Sequence, residues 1–342
     1  MFKTLIKKPK FLLGFVFLVT MVITSFLYEP FIAEHIKRYD FFTYKGELVG
    51  PPFTPLELPP LGSDRLGTPL WTYIIQGAKF TILLAIVISF IQVIFGLLLS
   101  VLFLHFLKRI QKILEVLVES MIYVPVAVIA FWLLLPLEQL IHNPEEHFIK
   151  LLINQALLIS IIGIPSTLVV LLKEIQKSLQ EEYVLSSRVL GGRGWFLYRK
   201  HVLTILSPRL VLLFFQRNVQ VLVLFAHLGF INIFLGGKFE EEIMIGESRM
   251  FSLSNEWAGN IGKAYVELMT APWLILAPLV ALSLAVLSFN FMASSIQEIM
   301  LKETSSFRKR NGKRMQKEMG KDSSEFRDNH FTLVRKNHHL NS

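Results

Sequence analysis

The chain is 342 residues long, 53% apolar by side chain and carries a net charge of +9, with its apolar residues in runs too long for one soluble core to bury. Zero cysteines exclude structural disulfides and thiolate metal sites but say nothing about compartment. The positive charge suits the lysine and arginine bias of cytoplasmic membrane loops better than nucleic-acid binding, so composition points to a polytopic membrane protein.

Lys3, Lys7, Lys8 and Lys10 lead into an apolar run over 11–27 that exits through Tyr28-Glu29-Pro30 with no small-residue cleavage site. Residues 1–28 therefore read as an uncleaved signal-anchor helix with a cytoplasmic amino terminus. Residues 29–79 hold Pro30, Pro51, Pro52, Pro55, Pro59, Pro60 and Pro69 and are expected to form an external loop, too rich in proline for helix or sheet. Ser63 or Asp64 would cap the helix that follows. A second span is expected over 80–104, ending at Lys108, Arg109 and Lys112, and a third over 113–137. Glu115 and Glu119 share a helical face near those cations, which favours tethering over proton or metal chemistry. Residues 138–147 read as an acidic external loop, and a fourth span over 148–172 contains Asn154, Gln155 and a kink at Pro165.

Residues 173–209 are polar and basic and lie between two apolar runs, so they belong on the cytoplasmic side. Tyr183, Val184, Ser187, Val189 and Leu190 can form one or two helical turns, Gly191-Gly192 supplies a stop, and 195–203 restarts an amphipathic pattern. A helix, a turn and a second helix placed there can meet a soluble partner. The fifth span, over 210–235, contains Gln216, Arg217, Asn218, Gln220 and His227. Arg217 is expected about two turns from the inner face, where it can snorkel or meet Glu115 or Glu119. The polar set either lines a solvated pathway or bonds helix to helix, and the sequence favours neither. Residues 236–269 form a second external segment with Glu240-Glu241-Glu242, and a sixth span over 272–296 opens with Trp273 at the outer interface. The basic tail, 301–342, has too little apolar content to fold alone and suits anionic lipid, not nucleic acid.

Glu182-Tyr183-Val184-Leu185-Ser186-Ser187-Arg188-Val189-Leu190-Gly191 resembles the E-Y-V-x-A-A-R-x-L-G loop of ABC-importer membrane subunits in the dipeptide, oligopeptide and nickel permease family. Ser186 and Ser187 stand for the two small alanines, and Thr204 for a proline. Leu61-Gly62-Ser63-Asp64-Arg65-Leu66-Gly67, Gly77-Ala78-Lys79, Glu119 with Pro125, Pro165, Glu256-Trp257-Ala258-Gly259, Thr270-Ala271-Pro272-Trp273 and Phe289-Asn290 are similar to further family landmarks in order. Thr68-Pro69, Val169 and Leu172 depart from that pattern.

The resemblance implies an all-α, polytopic helical membrane protein of the ABC importer type I permease kind, with six transmembrane helices, a permease core over 80–300 and both termini cytoplasmic, in a bacterial-type cell membrane. It implies ABC ATPase subunits that bind the ATP, a second permease subunit in a heterodimer, and an extracytoplasmic substrate-binding protein. Glu182, Tyr183, Ser186, Ser187, Arg188, Leu190 and Gly191 would form the ATPase-coupling loop, and Gln216, Arg217, Asn218, Gln220 and His227 would line the pathway. Peptides are the commoner family substrate, with nickel or another small ligand as the alternative. The chain has no G-x-x-x-x-G-K-[ST], H-E-x-x-H or G-x-S-x-G motif and no metal-ligand cluster, so neither a cofactor nor a catalytic site of its own is expected. A membrane scaffold or sensor derived from a permease, and an intramembrane enzyme, are the readings of other classes.

Overall fold

The computed structural model describes residues 5–31, 33, 36–106, 108–121, 123–139, 146–191, 203–244 and 247–302. In chain order they form α1 (Pro9–Phe31), a hairpin of β1 (Phe42–Tyr44) and β2 (Glu47–Val49), α2 (Leu70–Phe106), α3 (Lys108–Met121), α4 (Val126–Gln139), α5 (Phe148–Leu179), α6 (Glu182–Val189) and α7 (Leu203–Phe230). A second hairpin of β3 (Lys238–Met244) and β4 (Glu247–Ser252), a short α8 (Trp257–Ala264) and a final α9 (Trp273–Lys302) complete them. Five helices, α1, α2, α5, α7 and α9, are long and apolar enough to cross a membrane. The shortest, α1 with 23 residues, spans about 35 Å, enough for a hydrocarbon layer of about 30 Å.

The third expected span, 113–137, is not one helix. α3 takes its first half and α4 its second, with a break ahead of Pro125, whose ring lacks an N–H and disfavours helix in the residue before it. α4 is apolar but has 14 residues, about 21 Å. α2 starts ten residues before the expected position 80 and α7 starts at Leu203 instead of 210, because polar first turns are carried by packing at both ends of the bundle. The proline-rich segment 29–79 is also not free of sheet. Lys45 and Gly46 both take positive φ, which lets a two-residue turn close β1 onto β2. Asp64 caps a turn and not the next helix, accepting from the amides of Leu66 and Thr68.

α2 packs along α5, α1 and α7, and α9 joins them through Ala281, Ala285 and Phe289 in one continuous core. Lys8 on the approach to α1 pairs with Glu298 of α9 at 2.6 Å, so the first and last spans begin and end at the same end of the bundle. At the opposite end α8 is buried between α2 and α7 along nearly its whole length. That approach needs small residues. A Cβ on Gly77, Gly229 or Gly262 would stand 1.9 to 2.0 Å from the backbone oxygens of Asn255, Ala258 or Gly229.

The buried carboxylate of Glu256 caps α8, accepting from the amides of Ala258 and Gly259 at 2.7 Å. Trp257 locks the helix to α2 by donating from its ring nitrogen to Ile74 O at 2.8 Å and from its amide to Thr81 Oγ1 at 3.0 Å. Gln155 of α5 holds the loop before β3, donating to Phe234 O and accepting from the Gly236 amide. Two acids then tie the 36–69 segment over this end. Asp64 accepts from Tyr73 and pairs with Lys263 at 3.2 Å, while Glu267 pairs with Arg65 and Arg249.

Two buried carboxylates of this end, Glu256 and Glu267, respond oppositely to pH. Burial pushes Glu256 up to about 7 against its amide donors, so its cost to the fold builds as pH rises from its ordinary 4.5 to 7. Burial also opposes the Glu267 charge, but donors from Arg65, Thr270 and Arg249 outweigh it and hold that acid down at about 2; its contribution is present above its ordinary 4.5 and is lost as pH falls toward 2. Thermal unfolding of the detergent-purified chain should therefore peak near pH 5, with Glu256→Gln flattening the alkaline limb and Glu267→Gln the acid limb by several degrees. A profile unchanged by either substitution would contradict these assignments. Gly229→Ala should cost about 1–3 kcal/mol in the same unfolding measurement, because a methyl group there meets backbone that cannot step aside; an unshifted transition would show the contact to be looser.

Candidate functional site

Helix α5 runs seven residues beyond the expected end of its span and is closed by Gln180, whose amide donates to the carbonyls of Lys177 and Ser178. Two residues later α6 begins, within the segment expected to make a short helix. Val184 is buried against the bundle, whereas Leu185, Val189 and Leu190 are exposed, the last two at 87% and 88%. Ser186 donates back to Glu182 O at 2.8 Å, so this small residue turns its hydroxyl onto its own helix. The Leu190 amide closes the last turn on Ser186 O, and Gly191 follows at φ +92°, a left-handed stop that favours glycine. Glu182 is exposed and Ser187 half-buried. Tyr183 and Arg188 lie on the α6 backbone, but their side chains fall outside the described residues, as does the expected second helix over 195–203.

Ion pairs brace the helices above α6. Arg209 at the start of α7 pairs with Glu174 near the end of α5. Glu119 of α3 pairs with Lys173 of α5 at 2.6 Å, the tethering expected of it, with Lys173 as its partner. Both groups of that pair are about half exposed, so it fixes geometry more than it adds stability.

Along α7 the five polar residues divide between two faces. Gln216, Gln220 and His227 are exposed together with Val223 and Phe230, a spacing of four and three residues that makes one stripe. Arg217 and Asn218 turn inward and are buried, Arg217 at 8% exposure. Asn218 donates to Phe214 O in its own helix. Arg217 meets neither Glu115 nor Glu119. Because α7 starts at Leu203, Arg217 sits about four turns from that end rather than two, beyond the reach of those acids. Its Nη1 donates instead to Ser166 Oγ on α5 and to Gln220 Oε1, both at 2.9 Å. A charge placed at such depth costs about 2.5–3.5 kcal/mol on insertion scales, so its position calls for a reason.

Sequence reading missed Ser166, hidden beside the kink at Pro165, and Gln92, which donates from α2 to Ile159 O of α5 at 3.3 Å. Gln92 is the one amide side chain in the apolar run 80–104, and that was its signal. It also missed Gln155 and Glu267 as clamps, because their partners are backbone groups and side chains far away in sequence. Among the described residues no three metal-ligating side chains come together.

No curated protein matches the chain. A family model for the binding-protein-dependent transport system inner membrane component matches residues 92–305, well over half of the 342 residues. That stretch runs from Gln92 in α2 past the end of α9 and holds both α6 with its glycine stop and the polar stripe of α7. A bundle of apolar spans, a short helix left standing at one end and a match over this length agree: the chain belongs to the family of binding-protein-dependent transport system inner membrane components, the permease subunits of ABC transporters.

Proposed function

We propose that this chain is one of two different permease subunits in an ATP-driven peptide importer of type I, in which partner ABC subunits bind and hydrolyse the ATP and an extracytoplasmic protein delivers the substrate. The observation that carries the reading is α6. Its exposed Leu185, Val189 and Leu190 make an apolar surface at a charged end of the bundle, the kind of face a partner covers. The family match supports an ABC ATPase as that partner.

Force applied to α6 has a direct route to the spans. α6 is separated from α5 by two residues, and the Arg209 to Glu174 pair joins the bases of α5 and α7. Displacement of α6 therefore carries both helices, and α7 bears Gln216, Gln220 and His227 on its open face, where neutral donors and acceptors suit the amides of a peptide. Choice among peptides rests with the external binding protein. α4 serves as the sixth crossing: the Lys8 to Glu298 pair puts the start of α1 and the end of α9 together, which needs an even number. Lys112, Lys173 and Lys177 support a cytoplasmic side at the α6 end, and with it cytoplasmic termini and a place in the cell membrane.

Leu190→Glu should leave the unfolding temperature of the purified chain unchanged, since this side chain touches little of the bundle, yet lower the ATPase recovered with it and substrate-stimulated ATP hydrolysis tenfold or more. Gly191→Val, which meets no neighbour but strains the turn, should weaken coupling with insertion intact. Wild-type recovery and hydrolysis in both variants would remove the coupling role from α6.

A further inference from the structure

Among the described residues Arg217 is the most buried cation of the spans, and it is incompletely used. A guanidinium has five N–H donors and stays charged, so when buried it demands acceptors and, above all, an anion. Nη1 is shared by two neutral oxygens, Ser166 Oγ and Gln220 Oε1. Nε is buried with no hydrogen-bond partner, and the Oδ1 of the next residue, Asn218, is also buried without a donor. Among the described residues no carboxylate pairs with Arg217, although Lys8, Arg65, Lys79, Lys173, Arg209, Lys238, Arg249, Lys263 and Lys302 each have one. The site is not sealed, because Gln220 belongs to the exposed stripe of α7 with Gln216 and His227.

We infer that Arg217, backed by Ser166 and Gln220, is a transient binding site for a carboxylate group of the translocated substrate, midway along the pathway. The inference rests on the peptide-import reading and adds to it a charged contact on the route. Arginine matches a carboxylate through two parallel N–H donors, and Nε is the donor left available for one of them. A site that must also release its ligand is better served by one unsatisfied donor edge than by a complete cage, since tight capture would stop passage. A built-in acid on this chain would have cancelled the charge permanently. Instead, among the described residues, the cation has no acid partner until a substrate anion arrives beside the exposed Gln220.

The test compares uptake, by cells carrying the whole transporter, of a labelled dipeptide with a free carboxyl terminus and of its carboxamide, in the wild type, Arg217→Gln and Arg217→Lys. The binding protein is common to all three, so only the change in the acid-to-amide ratio is read. Arg217→Gln should lower that ratio tenfold or more with amide uptake preserved, and Arg217→Lys should restore part of it. An unchanged ratio in Arg217→Gln overturns the site. So does equal loss of acid and amide uptake with less second permease subunit recovered, which would assign the anion to an acidic residue of that subunit. Equal loss with the complex present at wild-type level in the membrane also overturns it. Uptake of neither peptide by the wild type fails differently, overturning the peptide reading and, with it, the ligand assigned to Arg217.

Discussion

A helix of eight residues can be buried inside a bundle only if its first amides find acceptors there, and Glu256 provides them for α8. The rest of this end follows from that one cap. With α8 fixed, Trp257 reaches the backbone of α2, Gly229 and Gly262 bring α7 close, and Gln155 ties α5 to the loop leading into β3. The ionic clamps of Asp64 and Glu267 then fold the proline-rich segment across the top. Two spans, α2 and α7, are locked together where they meet α8, and α5 is tied in through the loop ahead of β3.

The opposite end is built by a different logic. There the helices run on past the apolar layer and are held by ion pairs, Arg209 with Glu174, Lys173 with Glu119 and Lys8 with Glu298, all of them partly exposed. Such contacts are weak individually and tolerate small rearrangement. A bundle pinned at one end and loosely braced at the other is suited to opening by tilt about the pinned end. α6 stands on the loose end, two residues past α5 and beside the Arg209 to Glu174 pair that joins α5 to α7. Between the two ends Gln92, Ser166, Arg217 and Gln220 add hydrogen bonds between and along the spans.

Local pattern decided what was legible in the sequence. The spans were readable because a run such as 80–104 is almost continuously apolar, and the helix after Glu182 because Gly191 can only be a stop or a turn there. Helix ends were less so. Leu70 to Lys79 and Leu203 to Arg209 carry polar residues that tertiary contacts hold in helix, and hydropathy alone assigns them to loops. The reverse happened at 113–137, where an apolar average concealed the break before Pro125. For Arg217 and Asn218, composition could state that a polar residue sits in the span but not which way it faces; the burial of these two and the exposure of Gln216 and Gln220 follow from the helix's rotation, which is set by its neighbours. Ser166 could be paired with Arg217 only once α5 and α7 were placed side by side.

The claim everything turns on is that α6 is a cytoplasmic contact while the α8 end faces outward. The absence of native cysteine makes single-cysteine labelling direct. Leu190→Cys and Leu48→Cys, both exposed and at opposite ends, can be exposed to a membrane-impermeant maleimide in intact cells and in inverted vesicles. Cys at 48 should label only in cells, and Cys at 190 only in inverted vesicles and less when the ATPase is bound. Labelling of both from the same side, or of position 190 from outside the cell, would contradict the proposed orientation and the coupling role of α6.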